Sequence, residues 1–199
     1  MESSRHGAGW VEVICGPMFS GKTEELIRRL RRAVIGRQRV QVFKPSIDQR
    51  YHETRITSHS AQSLEAQAVH DVAALEAALD PETQVVGIDE AQFFGPTLVP
   101  VVQALADRGV RVVIAGLDQD YRGQPFEPIP QLLAIAEQIT KCLAVCSSCG
   151  ALASRSYRVA GGSERVQVGA ADSYEARCRM CYLRAISGEE DADLKRGVA

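Results

Sequence analysis

The chain has 199 residues, 45% of them hydrophobic, enough to bury one good core with a small appendage. A formal charge of −2 excludes the overall basic footprint of a nucleic-acid-binding domain, and no apolar run is long enough to span a bilayer. Residues 1–9 are polar with no apolar signal core, so the expectation is a cytosolic chain with no membrane or nucleic-acid partner, its six cysteines reduced and used for burial or metal rather than disulfides.

In chain order, the apolar alternation from Trp10 to Cys15 predicts a strand, with Val11, Val13 and Cys15 on one side and Glu12 and Ile14 on the other. Gly16-Pro17-Met18-Phe19-Ser20-Gly21-Lys22-Thr23 follows, and a helical pattern opens at Glu24. Strand, glycine-bounded loop and helix is the setting that a phosphate-binding P-loop requires. Backbone N–H groups of such a loop turn inward on an anion, and the helix behind adds unpaired donors and a positive dipole end. Lys22 is then placed to reach the β- and γ-phosphates, and the Thr23 hydroxyl to bind Mg²⁺. The plainer alternative, a glycine turn before a helix, does not explain all the fixed positions at once.

The helix has Leu26, Ile27, Leu30 and Val34 at helical spacing, with Arg28, Arg29, Arg31 and Arg32 opposite and Gly36 as its C-cap. We read the arginines as a solvated face in preference to a nucleic-acid patch. Val40, Val42 and Phe43 predict a second strand, stopped at Lys44-Pro45. The polar stretch from Ser46 to Gln62 is long for a loop in a compact domain, which marks it as functional or mobile. A short helix is expected over Asp71 to Leu79.

Val85-Val86-Gly87-Ile88-Asp89-Glu90 is an apolar run ending in acids, as in a buried parallel strand whose carboxyl end carries function. In P-loop proteins an Asp there helps hold Mg²⁺, and Glu90 beside it is free to act as a base. A helix is expected from Leu98 through Val101, Val102 and Leu105 to Gly109, then a buried strand from Val110 to Leu117, again ending in an acid, Asp118. Tyr121 to Phe126 forms a loop with aromatics and a cation, followed by a short helix around Leu132 to Ala136 and a strand from Ile139 to Val145. This alternation predicts a P-loop-type α/β fold, a parallel sheet flanked by helices on both faces.

From Cys146 the character changes. Cys146 with Cys149, and Cys178 with Cys181, are two CxxC pairs suited to one tetrahedral Zn²⁺ in a closed, structural shell. Between them, Ser154 to Val159 and Arg165 to Gly169 are read as a small antiparallel pair joined by Ala160-Gly161-Gly162-Ser163. Cys15 and Cys142 are read as core residues. The expected organisation is an ATP-binding unit over residues 1–145, a zinc-binding unit over 146–187, and a disordered tail over 188–199.

The ordered set of motifs resembles the type II (human cytosolic-like) thymidine kinases over roughly Val11 to Tyr182. It consists of GPMFSGKT at Gly16, KPSIDQRY at Lys44, IDEAQFF at Ile88, GLDQDYRGQPF at Gly116, and the cysteine pairs with AADSYEARCRMCY at Ala170. The resemblance implies phosphoryl transfer from ATP to thymidine with Mg²⁺, in a homotetramer. It implies Glu90 as catalytic base, Asp89 assisting Mg²⁺ through its water shell, and ATP contacts from Gly16 through Thr23 and from Asp89, Glu90, Ala91 and Gln92. Arg50 becomes a candidate phosphate contact. Met18, Phe93, Leu117, Tyr121, Phe126 and Tyr174 match positions enclosing the nucleoside, and a "lasso" loop, here about Ser156 through Tyr174 with Gln167 and Gly169, reads the base by its main chain. This chain departs from the family at Gly169-Ala170, where Gly-Gly is usual, and at Gln167, where an apolar residue is commoner. The rival reading is a P-loop ATPase with a nucleic-acid-binding zinc ribbon. Balanced charge and the lack of interleaved basic and aromatic residues argue against it.

Overall fold

The computed structural model describes residues 7–46, 55–57, 63–160 and 173–188. Strands β1 (Trp10–Cys15), β2 (Val40–Pro45), β3 (Arg55–Thr57), β4 (Ser63–Glu65), β5 (Gln67–Val69), β6 (Val85–Ile88), β7 (Arg111–Gly116) and β8 (Gln138–Lys141) come with helices α1 (Lys22–Ile35), α2 (Val72–Ala77), α3 (Leu98–Asp107) and α4 (Ile129–Ile135). Short strands β9 (Ala144–Val145), β10 (Leu152–Ala153), β11 (Arg155–Arg158) and β12 (Tyr174–Arg177) lead to α5 (Arg179–Ser187). Six strands form one parallel sheet in the order β5-β2-β6-β7-β1-β8. The expected α/β architecture is therefore present. No helix among the described residues is long and apolar enough to cross a membrane.

One apolar layer packs Leu26, Ile27, Leu30 and Ala33 of α1 on Ile14, Val42, Val85, Val113 and Ala115. A second, on the opposite face, gathers Leu75, Leu98, Val102, Ile129 and Leu132 from α2, α3 and α4 over Val11, Val13, Val86, Ile88, Val112 and Ile114. Because β1 lies between β7 and β8 with both faces covered, Glu12 and Ile14 are as buried as Val11 and Val13. Gly87 lets α1 sit close: a Cβ there would meet Leu30 Cδ1 at 2.5 Å.

Several expectations need correction. Helix α1 starts at Lys22, and its buried stripe ends on Ala33, whereas Val34 is exposed. Arg29 does not belong to a solvated face. It turns inward, donating to Glu12 Oε2, Glu25 Oε1 and Thr140 Oγ1, each at 2.7 Å. The run from Ile139 to Val145 is two elements, because Cys142 leaves the sheet after its N–H donates to the Cys15 carbonyl at 2.8 Å. Cys142 itself is only half-buried. β11 pairs antiparallel with β12, Ser156 facing Ala176 and Arg158 facing Tyr174. The partner expected for it, Arg165 to Gly169, lies outside the described residues, as do residues 189–199 of the expected tail.

Glu12 places a carboxylate inside the sheet, nearly out of solvent. Its carboxylate accepts from Trp10 Nε1, Arg111 Nε and Arg29 Nη1, all at 2.7 Å. Burial pushes its acidity the unfavourable way, but the hydrogen bonds from Arg111, Trp10 and Arg29 and the Arg111 charge outweigh it, leaving the group below its ordinary 4.5. A carboxyl lowered in the folded state contributes stability above its unfolded pKa and loses it as pH falls through the folded value. Glu12→Gln is therefore expected to cost about 3 kcal/mol in urea unfolding at pH 7, since Arg111 and Arg29 both lose the charge of a buried carboxylate. The gap from wild type should narrow below about pH 4.5. A gap independent of pH would contradict this role for Glu12.

Candidate active site

The loop from Gly16 to Gly21 leaves the carboxyl end of β1 and enters α1 directly. Gly16 has φ 146°, and a Cβ there would lie 2.2 Å from the Cys142 carbonyl oxygen, so no other residue fits beneath the loop. Gly21, at φ 79°, turns the chain into the helix, and Phe19 also takes a left-handed conformation at φ 63°. Ser20 Oγ and Lys22 Nζ both donate to the Pro17 carbonyl, at 2.8 and 2.7 Å. Lys22 is buried, which lowers its ammonium, while the charges of Glu90 and Asp89 act in the opposite direction. This is a cation held inside the loop, facing two acids.

Those acids stand at the end of β6. Thr23 Oγ1 donates to Asp89, 3.2 Å from Oδ2, which joins the start of α1 to the β6 terminus. Burial and the neighbouring Glu90 charge push the Asp89 carboxyl up, to about 7. A hydroxyl and a buried carboxylate converging beside a lysine form an oxygen donor set suited to a hard divalent cation. Glu90, half-buried, adopts a left-handed conformation at φ 51°, a strained state for a non-glycine residue. Three bonds hold the turn: Glu90 N–H donates to Asp89 Oδ1 at 3.0 Å, Phe93 N–H donates to the Glu90 carbonyl at 3.1 Å, and Gln92 Nε2 donates to Glu90 Oε2. Gln92 is buried and accepts the Leu117 N–H at 3.0 Å, linking the Glu90 turn to the end of β7. Ala91 is buried beneath it.

Aromatic side chains gather along the same edge. Phe93 meets Phe126 edge-on at 6.0 Å. Tyr121 lies under the Arg158 guanidinium at 3.8 Å, and Arg158 Nε donates to Tyr174 Oη at 3.0 Å, so one cation ties Tyr121 to Tyr174. The Met18 N–H donates to the buried Ser156 Oγ at 3.0 Å, joining the P-loop directly to β11. Leu117, at the end of β7, is half-buried. Thus the structure pairs Phe93 with Phe126, Tyr121 with Tyr174 through Arg158, and Met18 with Ser156, whereas Arg50, Gln167 and Gly169 lie outside the described residues.

The cysteines also converge. Ligand atoms of Cys146, Cys149, Cys178 and Cys181 all lie within 4.8 Å of one another, and Cys149 Sγ and Cys178 Sγ are 3.7 Å apart. Tetrahedral Zn²⁺ with bonds near 2.3 Å sets its sulfurs about 3.8 Å apart, so the donor set fits. None of the four is in a disulfide.

The model for the family described as thymidine kinase matches residues 9–182. The chain belongs to the thymidine kinase family. Relatives named thymidine kinase share 59% identity over 192 residues in Bdellovibrio bacteriovorus, covering 96% of this chain and 94% of the relative. One from a Rhodothermus species is 58% identical, covering 89% and 84% of the two chains. Another, from Deinococcus deserti, is 53% identical, covering 92% and 98%.

Two features of this chain escape a reading of motifs. Lys141 Nζ pairs with the buried Asp118 Oδ2 at 2.7 Å, and these residues come from the ends of β8 and β7, the two neighbours of β1. Asp118 also helps push the buried Cys15 thiol up to about 11, after burial itself. The acid after β7 was visible in sequence; its partner was not, because the pairing crosses a strand. The second feature is the set of contacts that Arg155, Arg158 and Tyr182 make with the loop after β7. They sit among the cysteine-flanking residues, where only the thiols carry a recognisable spacing.

Proposed function

We propose that the chain transfers the γ-phosphoryl group of ATP to the 5′-hydroxyl of thymidine, giving ADP and dTMP. The observation that supports this most strongly is the contact of Thr23 with Asp89 at 3.2 Å beside the buried Lys22, with Glu90 one residue further along. In this reading Gly16 to Thr23 and Asp89 to Gln92 bind the nucleotide. Thr23 and Asp89 would hold Mg²⁺, which neutralises charge on the phosphates. Lys22 leaves the Pro17 carbonyl for phosphate oxygens. Glu90 takes the proton of the 5′-hydroxyl as its oxygen bonds to phosphorus and the bond to ADP breaks. Gln92 fixes the carboxylate that does this. Arg50 is a further phosphate contact in the same reading.

Met18, Phe93, Leu117, Tyr121, Phe126, Ser156 and Tyr174 enclose the nucleoside, with Gln167 and Gly169 beside the base. Thymine presents acceptor, donor and acceptor along O2, N3 and O4, while cytosine reverses the last two. A main-chain reader of fixed order therefore favours thymidine, at about 1–3 kcal/mol for each group left unsatisfied by the wrong base. Cys146, Cys149, Cys178 and Cys181 would hold one structural Zn²⁺. We take residues 1–145 as the nucleotide-binding unit and 146–187 as the zinc-binding one; the pairing of β9 with β10 favours moving Ala144 and Val145 to the second. A homotetramer in the cytoplasm completes the reading.

Glu90→Gln is expected to lower kcat for thymidine phosphorylation by about 10²–10⁴-fold. A variant retaining most of its kcat would remove Glu90 from the chemistry. Metal analysis of the purified protein should find about one Zn²⁺ per chain. Folded, active protein without zinc would contradict the four-thiolate site.

A further inference from the structure

The cysteine cluster and the loop after β7 meet through side chains to which the proposed reaction gives no role. Tyr182 follows Cys181 on α5 and is buried, and its hydroxyl donates to the Tyr121 carbonyl at 2.9 Å. Arg155, which opens β11, donates from Nη1 to Gln119 Oε1 and to the Gly123 carbonyl, the latter at 3.4 Å. The Arg155 guanidinium lies 5.8 Å over the Tyr182 ring, and Tyr157 meets that ring edge-on at 6.3 Å. The two side chains thus brace each other as they grip the loop.

The loop fits this grip closely. Gly123 has φ 73°, and a Cβ there would lie 3.1 Å from Arg155 Nη1 and 3.5 Å from Tyr182 Oη. Asp120 folds the turn on itself, its Oδ1 accepting the N–H groups of Arg122 and Gln124 at 3.0 and 2.9 Å. Such internal bonds shape a turn without fixing where it sits. Its position relative to the rest of the fold is set by contacts that leave the turn, and those from Tyr182 and Arg155 fall on Gln119, Tyr121 and Gly123. Arg158 holds the Tyr121 ring, whereas Tyr182 holds the backbone from which that ring projects.

We propose that Tyr182 and Arg155 are positioning residues that clamp the 119–123 turn and so set the Tyr121 wall of the nucleoside pocket. This rests on the reading of Tyr121 as a nucleoside contact. Through the clamp, the cysteine module governs nucleoside affinity from outside the pocket, while nucleotide binding at the P-loop is left alone. Tyr182 is buried and the bond itself is part-buried, where a hydrogen bond is stronger than in open water and an abandoned carbonyl is costly.

Tyr182→Phe deletes the hydroxyl and keeps the ring against Tyr157 and Arg155. The expected result is a thymidine KM raised about 2- to 10-fold, the scale of one net hydrogen bond. kcat, the KM for ATP and the zinc content should stay within about twofold of wild type, since the substrate wall alone has moved. Gly123→Ala strains the same turn from the other side and should give the same split. Because both act on the same turn, the double variant should fall short of the product of the single effects. An unchanged thymidine KM in both single variants, in a protein whose wild type phosphorylates thymidine, overturns the clamp and leaves the proposed function standing. A wild type that does not use thymidine overturns the reading beneath it. Loss of zinc, or kcat and the ATP KM shifting together with the thymidine KM, marks a general structural effect and overturns the clamp as well.

Discussion

The bond from Thr23 to Asp89 joins the first turn of α1 to the end of β6 across the intervening strand β7. Everything at the sheet's carboxyl edge depends on that approach being close. Gly87 permits it from below, because only a missing side chain lets Leu30 press α1 onto β6. Gly16 permits it from the side, because the loop passes against the Cys142 carbonyl with no room for a Cβ. Packing constraints on two glycines thus position a hydroxyl, a carboxylate and an ammonium within one small volume. Their mutual charge is tolerated because opposite signs alternate: Lys22 faces Asp89 and Glu90, and Lys141 faces Asp118.

The same sheet carries a second charged assembly on β1, away from the chemistry. Glu12 with Arg29, Arg111 and Trp10 ties the middle of α1 to β1 and β7, so the helix is fixed at both its first and its second turn. A helix anchored in this way presents its amino-terminal end in a constant orientation. That is what phosphoryl transfer asks of a protein, since positioning and charge stabilisation do most of the work.

What could be read from the sequence was local. The P-loop needs consecutive residues in one strand-loop-helix unit, Asp89 and Glu90 end an apolar run, and each CxxC pair is a single knuckle. What could not be read depends on which segments meet. Arg29 looks like its solvated neighbours until the sheet places Glu12 opposite it. Val34 is as apolar as Ala33, and only the rotation of α1 on the sheet decides which is buried. β12 was hidden because its four residues, Tyr174–Arg177, gain strand character from pairing with β11 rather than from their own pattern. The grip of Arg155 and Tyr182 on the 119–123 turn joins residues far apart in the chain and has no spacing to betray it.

These residues move a phosphoryl group onto a nucleoside rather than onto water. ADP release measured at saturating ATP and Mg²⁺, with and without candidate acceptors, tests this most directly. ADP formation should require thymidine and match dTMP one for one. The kcat/KM for thymidine should exceed that for deoxycytidine by about 10²–10⁴-fold, two mispaired base groups being the cause. ADP released at the same rate without a nucleoside, or stimulated by DNA in place of one, would contradict transfer to a nucleoside.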